Sequence, residues 1–105
     1  MIRLVFALRK KPGLSLEQFQ DYWRSKHGPL VASFAEDMNV LRYVQTHTID
    51  DGSNEAAQQA RGDMEAHYDG VAELWWWSEA ELEAALGSAA GQAAGAVLLE
   101  DEKQF

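Results

Sequence analysis

The hydrophobic and polar positions of the chain change period several times, and each change marks an element. Residues 2–8 (Ile-Arg-Leu-Val-Phe-Ala-Leu) alternate loosely and are rich in β-formers, which predicts a first strand with Ile2, Leu4 and Phe6 on one face. Pro12-Gly13 signals a turn, and Ser15 with Gln18 three residues on forms a capping box that starts a helix. Leu16, Phe19, Trp23, Leu30, Val31 and Phe34 then recur at helical spacing over about 16–26 and, past Gly28-Pro29, about 29–37. A break is expected between these two helices. The residue before a proline is pushed away from helical dihedrals, whereas proline itself suits the first turn of a new helix.

Asn39 closes that segment, because asparagine tolerates the left-handed conformation. Residues 40–49 alternate as a second strand, with Leu41, Tyr43, Gln45 and His47 on one face and Arg42, Val44, Thr46 and Thr48 on the other. Residues 50–54 read as a loop, 55–61 as a short helix ended by Gly62, and 62–68 as irregular or partly helical. Asp69-Gly70 opens a third strand over 71–77, with Val71, Glu73, Trp75 and Trp77 on one face and Ala72, Leu74 and Trp76 on the other. Ser78 and Glu81 form a second capping box, and the helix it starts stops near Gly87. Residues 88–96 are small; their alanines favour helix and Gly91 and Gly95 weaken it. The order is β-α-β-β-α, an α+β class matching the ferredoxin-like β-α-β-β-α-β plan with its final strand missing. Such an antiparallel sheet carries helices on one face only. Aromatic residues on both faces of the third strand predict that a second copy of the chain covers the other.

Composition narrows the function classes. A length of 105 residues predicts one domain, 1–105, with a core that needs neither disulfides nor a structural metal. Apolar runs such as 74–77 and 93–99 fall far short of a membrane span, and residues 1–8, followed by Arg9, Lys10 and Lys11, do not make a signal sequence. No membrane partner is expected. The chain has no cysteine, which excludes thiolate catalysis and disulfides, and a cytoplasmic location fits. A net charge of -8 speaks against nucleic acid as a partner, since a phosphate backbone requires a basic patch.

Candidate chemistry concentrates between Phe19 and Leu30. Phe19, Trp23 and His27 are spaced i, i+4, i+8, so two aromatics bury a helix face and an imidazole arrives beside them at the helix junction. With an ordinary pKa of ~6.5, that ring can act as a base near neutral pH. The competing reading is a packed histidine with a structural hydrogen bond. His47 shares a strand face with Tyr43 and is a candidate second acid or ligand donor, or else a strand-end surface histidine. Tyr22 and Tyr43 are candidate donors to an oxyanion. Glu73 shares a face with Trp75, where burial would raise its pKa or an ion pair with Arg3 or Arg42 would hold it charged. Trp23, Trp75 and Trp77 pack, and would also wall a pocket for flat apolar ligands. His67 is expected to be exposed, and Asp69 to fix the turn with Gly70. The three histidines are 20 residues apart with no close pair, so no metal and no cofactor is expected.

Several stretches together resemble the EthD-domain family of the dimeric α/β-barrel superfamily. They are Leu4-Val5-Phe6 with Lys11-Pro12-Gly13, then Phe19-x-x-Tyr22-Trp23-x-x-x-His27-Gly28-Pro29-Leu30, and Arg42-Tyr43-Val44-Gln45-x-His47. Tyr68-Asp69-Gly70-Val71-Ala72-Glu73-Leu74-Trp75 and Glu100-Asp101-Glu102-x-x-Phe105 complete the set. The resemblance implies a ferredoxin-like subunit that pairs sheet to sheet as a homodimer, with a pocket between helices and sheet. In the family a further strand normally follows the position of Phe105; without it the sheet has an open edge unless a partner fills it. Relatives include proteins of ether degradation beside an oxygenase, and cofactor-free lactone isomerases and dehydratases of aromatic polyketides.

On this reading the candidate catalytic residues are His27, His47 and Tyr43, and the candidate ligand-binding residues are Phe19, Tyr22, Trp23, Glu73 and Trp75. The leading expectation is a small cytoplasmic homodimer that binds a hydrophobic cyclic or aromatic metabolite. It would move protons on that ligand without a cofactor, as an isomerase, dehydratase or lyase. The first alternative is a non-catalytic ligand-binding or accessory protein of an oxygenase pathway of the ethyl tert-butyl ether type. The second is a cofactor-free or haem-assisted oxygenase.

Overall fold

Three strands and the helices between them build an α+β fold of ferredoxin-like plan. The computed structural model describes residues 1–62 and 65–105. Strand β1 spans Ile2–Leu8, β2 spans Arg42–His47 and β3 spans Gly70–Trp76. Helix α1 covers Leu16–Tyr22, a π-helical turn Trp23–His27, α2 Gly28–Ser33, α3 Ser53–Ala60, α4 Glu79–Gly87 and α5 Ala89–Asp101. A 3-10 turn, Glu102–Gln104, leads to Phe105. The sheet order is β1-β3-β2 and every pairing is antiparallel. No single helix among the described residues is long and apolar enough to cross a membrane.

The predicted helix break at Gly28-Pro29 is a widened turn instead. Proline has no N–H to give, and the Gly28 N–H reaches back to the Trp23 carbonyl, one residue further than an α-helix would. Gly28 keeps helical dihedrals (φ -55, ψ -52) directly before a proline. Without a Cβ it escapes part of the clash with the proline ring. A Cβ there would also stand 3.1 Å from Gln45 Nε2. The helical path therefore runs on from Leu16 to Ser33, shorter at its end than the expected 37. Turns follow up to Asn39, which takes the left-handed conformation (φ 56) as expected.

At the start of α1, the Ser15 hydroxyl accepts from the Gln18 N–H at 3.1 Å and the Gln18 side chain accepts from the Ser15 N–H at 2.9 Å, completing the capping box. Ser78 caps α4 by accepting from the Glu81 N–H. Helix α5 outruns the expected 88–96 and reaches Asp101. The irregular stretch expected over 62–68 includes 63 and 64, which lie outside the described residues.

Register decides which residues share a face. Tyr43 and Leu4 flank Leu74, Gln45 and Phe6 flank Ala72, and His47 and Leu8 flank Gly70; these face the helices. Arg3 and Arg42 flank Trp75, and Val5 and Val44 flank Glu73, on the opposite face. The core lies where α1 and the π-turn meet the sheet. Phe19 and Trp23 are each 1% exposed and stack at 5.4 Å, packed with Ala72 and Phe105. Trp76 is also buried, and its indole N–H donates to the Met38 carbonyl at 2.8 Å.

Trp23 fits only because β3 begins with glycine. A Cβ on Gly70 would stand 2.5 Å from the Trp23 ring and 3.2 Å from the Thr46 carbonyl. Gly70→Ala is therefore expected to lower unfolding stability by roughly 1–3 kcal/mol, the usual cost of overpacking. Gly87→Ala, where nothing lies within 4 Å, is expected to be neutral or slightly stabilising, as alanine is for glycine in a helix. Denaturant midpoints of the two variants check both; an unchanged midpoint for Gly70→Ala refutes the packing argument.

Candidate functional site

Helix α5 brings a carboxylate to the π-turn. His27 is 5% exposed, and its Nδ1 lies 2.8 Å from Asp101 Oδ2. The Tyr22 hydroxyl donates to the other oxygen, Asp101 Oδ1, at 2.6 Å. Tyr22 and His27 are five residues apart. Around a regular α-helix that spacing puts side chains about 140° apart, on different faces. The extra residue in the π-turn swings both onto one carboxylate. Phe105 closes the group: its ring centroid is 4.7 Å from that of His27, 5.5 Å from Tyr22 and 5.9 Å from Phe19. The Phe105 carbonyl accepts from the Lys11 N–H at 2.7 Å, which ties this end of the chain to the turn after β1.

Asp101 is the last residue of α5, where the negative end of the helix dipole disfavours a carboxylate. Burial pushes its pKa up. The hydrogen bonds from Tyr22 and His27, with the His27 charge, outweigh burial and hold it below the usual aspartate value. Tyr22 moves the other way. Its hydrogen bond to Asp101 raises its pKa, and burial and the carboxylate charge add to that, so it remains a phenol. Facing an ionised Asp101, a neutral His27 carries its proton on Nδ1 and presents the lone pair of Nε2. Among the described residues Nε2 has no hydrogen-bond partner, and it is not one of the sealed unpaired atoms.

The other expected residues divide between the two faces of the sheet. Of Phe19, Tyr22 and Trp23, Tyr22 touches the His27–Asp101 pair through its hydroxyl; Phe19 and Trp23 are core, Phe19 meeting Phe105 and Trp23 meeting His47. Tyr43 and His47 lie on the same side of the sheet and meet through Gln45. The Gln45 Nε2 donates to the Tyr43 hydroxyl and to the Trp23 carbonyl, each at 2.8 Å, and its Oε1 lies 2.9 Å from His47 Nε2. The His47 ring packs on Trp23, centroids 4.6 Å apart, and is half-buried. Glu73 and Trp75 lie across the sheet from His27. Odd positions of β3 turn away from the helices, because only Gly70 and Ala72 leave room for Trp23 and Phe19. Glu73 pairs with Arg3 at 2.5 Å, and the Arg3 and Arg42 guanidiniums lie 5.0 and 5.8 Å from the Trp75 ring centre. These two residues thus share no cavity with His27. His67, expected to be exposed, is half-buried and pairs with Glu55 at 3.1 Å. Asp69, expected to fix the turn with Gly70, instead accepts from the Lys10 N–H at 2.8 Å and so ties the start of β3 to the residues after β1.

A shallow concavity of about 310 Å³ lies at the far end of β2 and β3, between His47, Ile49, Tyr68 and the start of α3. It adjoins His47 and not His27. No group of three or more His, Asp or Glu side chains among the described residues is placed to hold a metal ion.

Asp101 and Gln45 are the functional candidates that the residue patterns did not single out. Asp101 sits in the acidic run 100–102 and reads as solvated. A signal was nonetheless available: Gly91, Ala94 and Leu98 are the buried positions of α5, and Asp101 is the next place on that stripe. Gln45 was legible only as a member of the Tyr43–His47 face.

The fold and the buried histidine–aspartate pair together define a ferredoxin-like α+β domain with a helix-borne titratable centre. The EthD domain model matches residues 11–105, and the chain belongs to that family. No curated protein and no solved structure matches significantly. Family membership suggests a protein of a small-molecule pathway.

Because Asp101 is held below its unfolded value of about 3.9, its contribution to stability is complete above that pH. It is lost as pH falls through the lower folded value. Asp101→Asn is expected to cost about 1–3 kcal/mol at neutral pH, as for a hydrogen bond to a charged group. The gap to the wild type should narrow below about pH 4. Urea unfolding across pH 2–7 (about that range) measures it, and a gap that stays constant to the acid end contradicts the account.

Proposed function

We propose that the chain moves protons on a hydrophobic small molecule without a cofactor, in a reaction of isomerase, dehydratase or lyase type. The observation that carries this reading is the 2.8 Å contact between His27 Nδ1 and Asp101 in a nearly water-free setting. Asp101 holds the imidazole in one tautomer and stabilises the imidazolium when Nε2 takes a proton from a carbon next to a carbonyl. The same Nε2–H then returns the proton to another carbon, or to a departing hydroxyl. Acid–base assistance of this kind is typically worth about 10²–10⁴-fold. The substrate would be cyclic or aromatic, since Phe105 and, stacked on it, Tyr22 supply flat apolar surface beside the imidazole. We further propose that two copies pair through the sheet face carrying Val5, Val44 and Trp75; Val5 is 56% exposed there, an apolar side chain in search of cover.

A second reading, a carrier that binds an apolar ligand beside an oxygenase and turns nothing over, is favoured by the concavity's place beside His47.

The two readings separate on hydrogen exchange. Cyclic ketones incubated with the protein in deuterated water are expected to gain deuterium next to the carbonyl, followed by NMR. His27→Asn keeps a donor toward Asp101 but lacks Nε2, and should slow exchange by about 10²–10⁴-fold with the fold intact. Exchange at the wild-type rate in that variant rejects the catalytic assignment. Tight binding with no exchange in either protein selects the carrier.

A further inference from the structure

Gln45 uses its whole amide. Its two N–H bonds point at the Trp23 carbonyl and the Tyr43 oxygen, and its carbonyl oxygen faces His47 Nε2. The reverse orientation would set the amide oxygen 2.8 Å from the Trp23 carbonyl, acceptor against acceptor. The amide is therefore locked, and two consequences follow. His47 must donate from Nε2, which leaves Nδ1 as the bare nitrogen; that atom is sealed and has no partner among the described residues. The Tyr43 oxygen receives a hydrogen from Gln45, so its own hydrogen is free to give. No acceptor for it is present among the described residues. The hydrogen bonds run one way, from His47 through Gln45 to Tyr43, and end in an unused O–H.

We infer that Gln45 and His47 are positioning residues that aim the Tyr43 hydroxyl at an acceptor oxygen of the ligand, a ketone or enolate oxygen. The role of His47 is thus to anchor the chain, and not to shuttle protons. This rests on the reading of the site as one that takes a carbonyl-bearing ligand, and it adds the group that receives the oxygen while His27 handles the carbon-bound proton. Protonation states agree with the direction of the chain. Burial lowers the His47 pKa, with help from the Arg24 charge, so the ring stays neutral. Burial also raises that of Tyr43, outweighing the donors Gln45 and Trp23, so the hydroxyl keeps its hydrogen. The relay and the His27–Asp101 pair adjoin: a Cβ on Gly28, the residue after His27, would stand 3.1 Å from Gln45 Nε2.

Two measurements test the inference. Nitrogen-15 NMR of the ligand-free protein is expected to show His47 as the neutral Nε2–H tautomer, and Gln45→Leu to release it into mixed tautomers. An Nδ1–H tautomer in the wild type overturns the relay whatever the activity. The second probe is 1-tetralone labelled with carbon-13 at its carbonyl. Binding should move the carbonyl resonance downfield in the wild type and in His27→Asn alike. Tyr43→Phe should abolish that shift and weaken binding about 3- to 10-fold, the worth of one neutral hydrogen bond. Gln45→Leu should reduce the shift, and Gln45→Asn should not restore it, its amide being one methylene too short. Failure of tetralone to bind the wild type, or an undiminished shift in Tyr43→Phe, overturns the assignment of Tyr43. If His27→Asn proves fully active while the relay signals hold, only the proton-transfer reading falls.

Discussion

One missing N–H shapes the whole centre of this protein. Pro29 cannot continue the α-helical ladder, and the turn before it opens by one residue so that Gly28 bonds to the Trp23 carbonyl. The helix does not break, because Gly28 accepts helical dihedrals before a proline. It changes phase. Upstream of the turn and at its first residue, Phe19 and Trp23 pack against the sheet. Downstream, Val31 is buried in its turn. Across the π-turn, Tyr22 and His27 swing to the same side and meet Asp101. A regular helix through this stretch would separate them and leave a carboxylate at the end of α5 with one partner in place of two. Such π-turns in otherwise α-helical stretches are frequent at functional sites for this reason: they place side chains where a straight helix cannot.

The sheet answers the helix at one point above all. The Trp23 ring reaches β3 at Gly70, and Ala72 shares the same core; larger side chains would hold the helix off. That choice also fixes what the opposite face must carry. With small residues turned toward the helices, Glu73 and Trp75 have to point away, and there they meet Arg3 and Arg42. The arginines cover Trp75 only in part. Its indole N–H is buried without a partner among the described residues, and Val5 on the same face stays exposed.

Much of this was legible in the residues. The three strands, their alternation, the two capping serines and the left-handed Asn39 follow from local rules, and the chain keeps them. The Gly28-Pro29 pair marked the right place but the wrong event, since local propensity says that a helix is disturbed there and only tertiary packing decides between a break and a widened turn. The grouping of Glu73 and Trp75 with His27 failed for a related reason. Alternation says which residues share a face and not which face the helices choose, although small Gly70 and Ala72 opposite large Phe19 and Trp23 is a usable sign. Asp101 was hidden by its acidic neighbours, which are solvated while it is not.

Trp23 joins the two polar groups, and this makes them one site in a physical sense. Its carbonyl takes both the Gly28 N–H of the π-turn and the Gln45 amide of the relay, and its ring lies on His47. Any shift of the turn that moves His27 also moves the carbonyl that orients Gln45. Conversely, a change at Gln45 loosens the acceptor that holds the turn open. A buried carbonyl that accepts from two donors is over-determined, and such points resist small displacements. The placement of the imidazole and the orientation of the Gln45 amide at the Tyr43 hydroxyl are therefore set by the same atom.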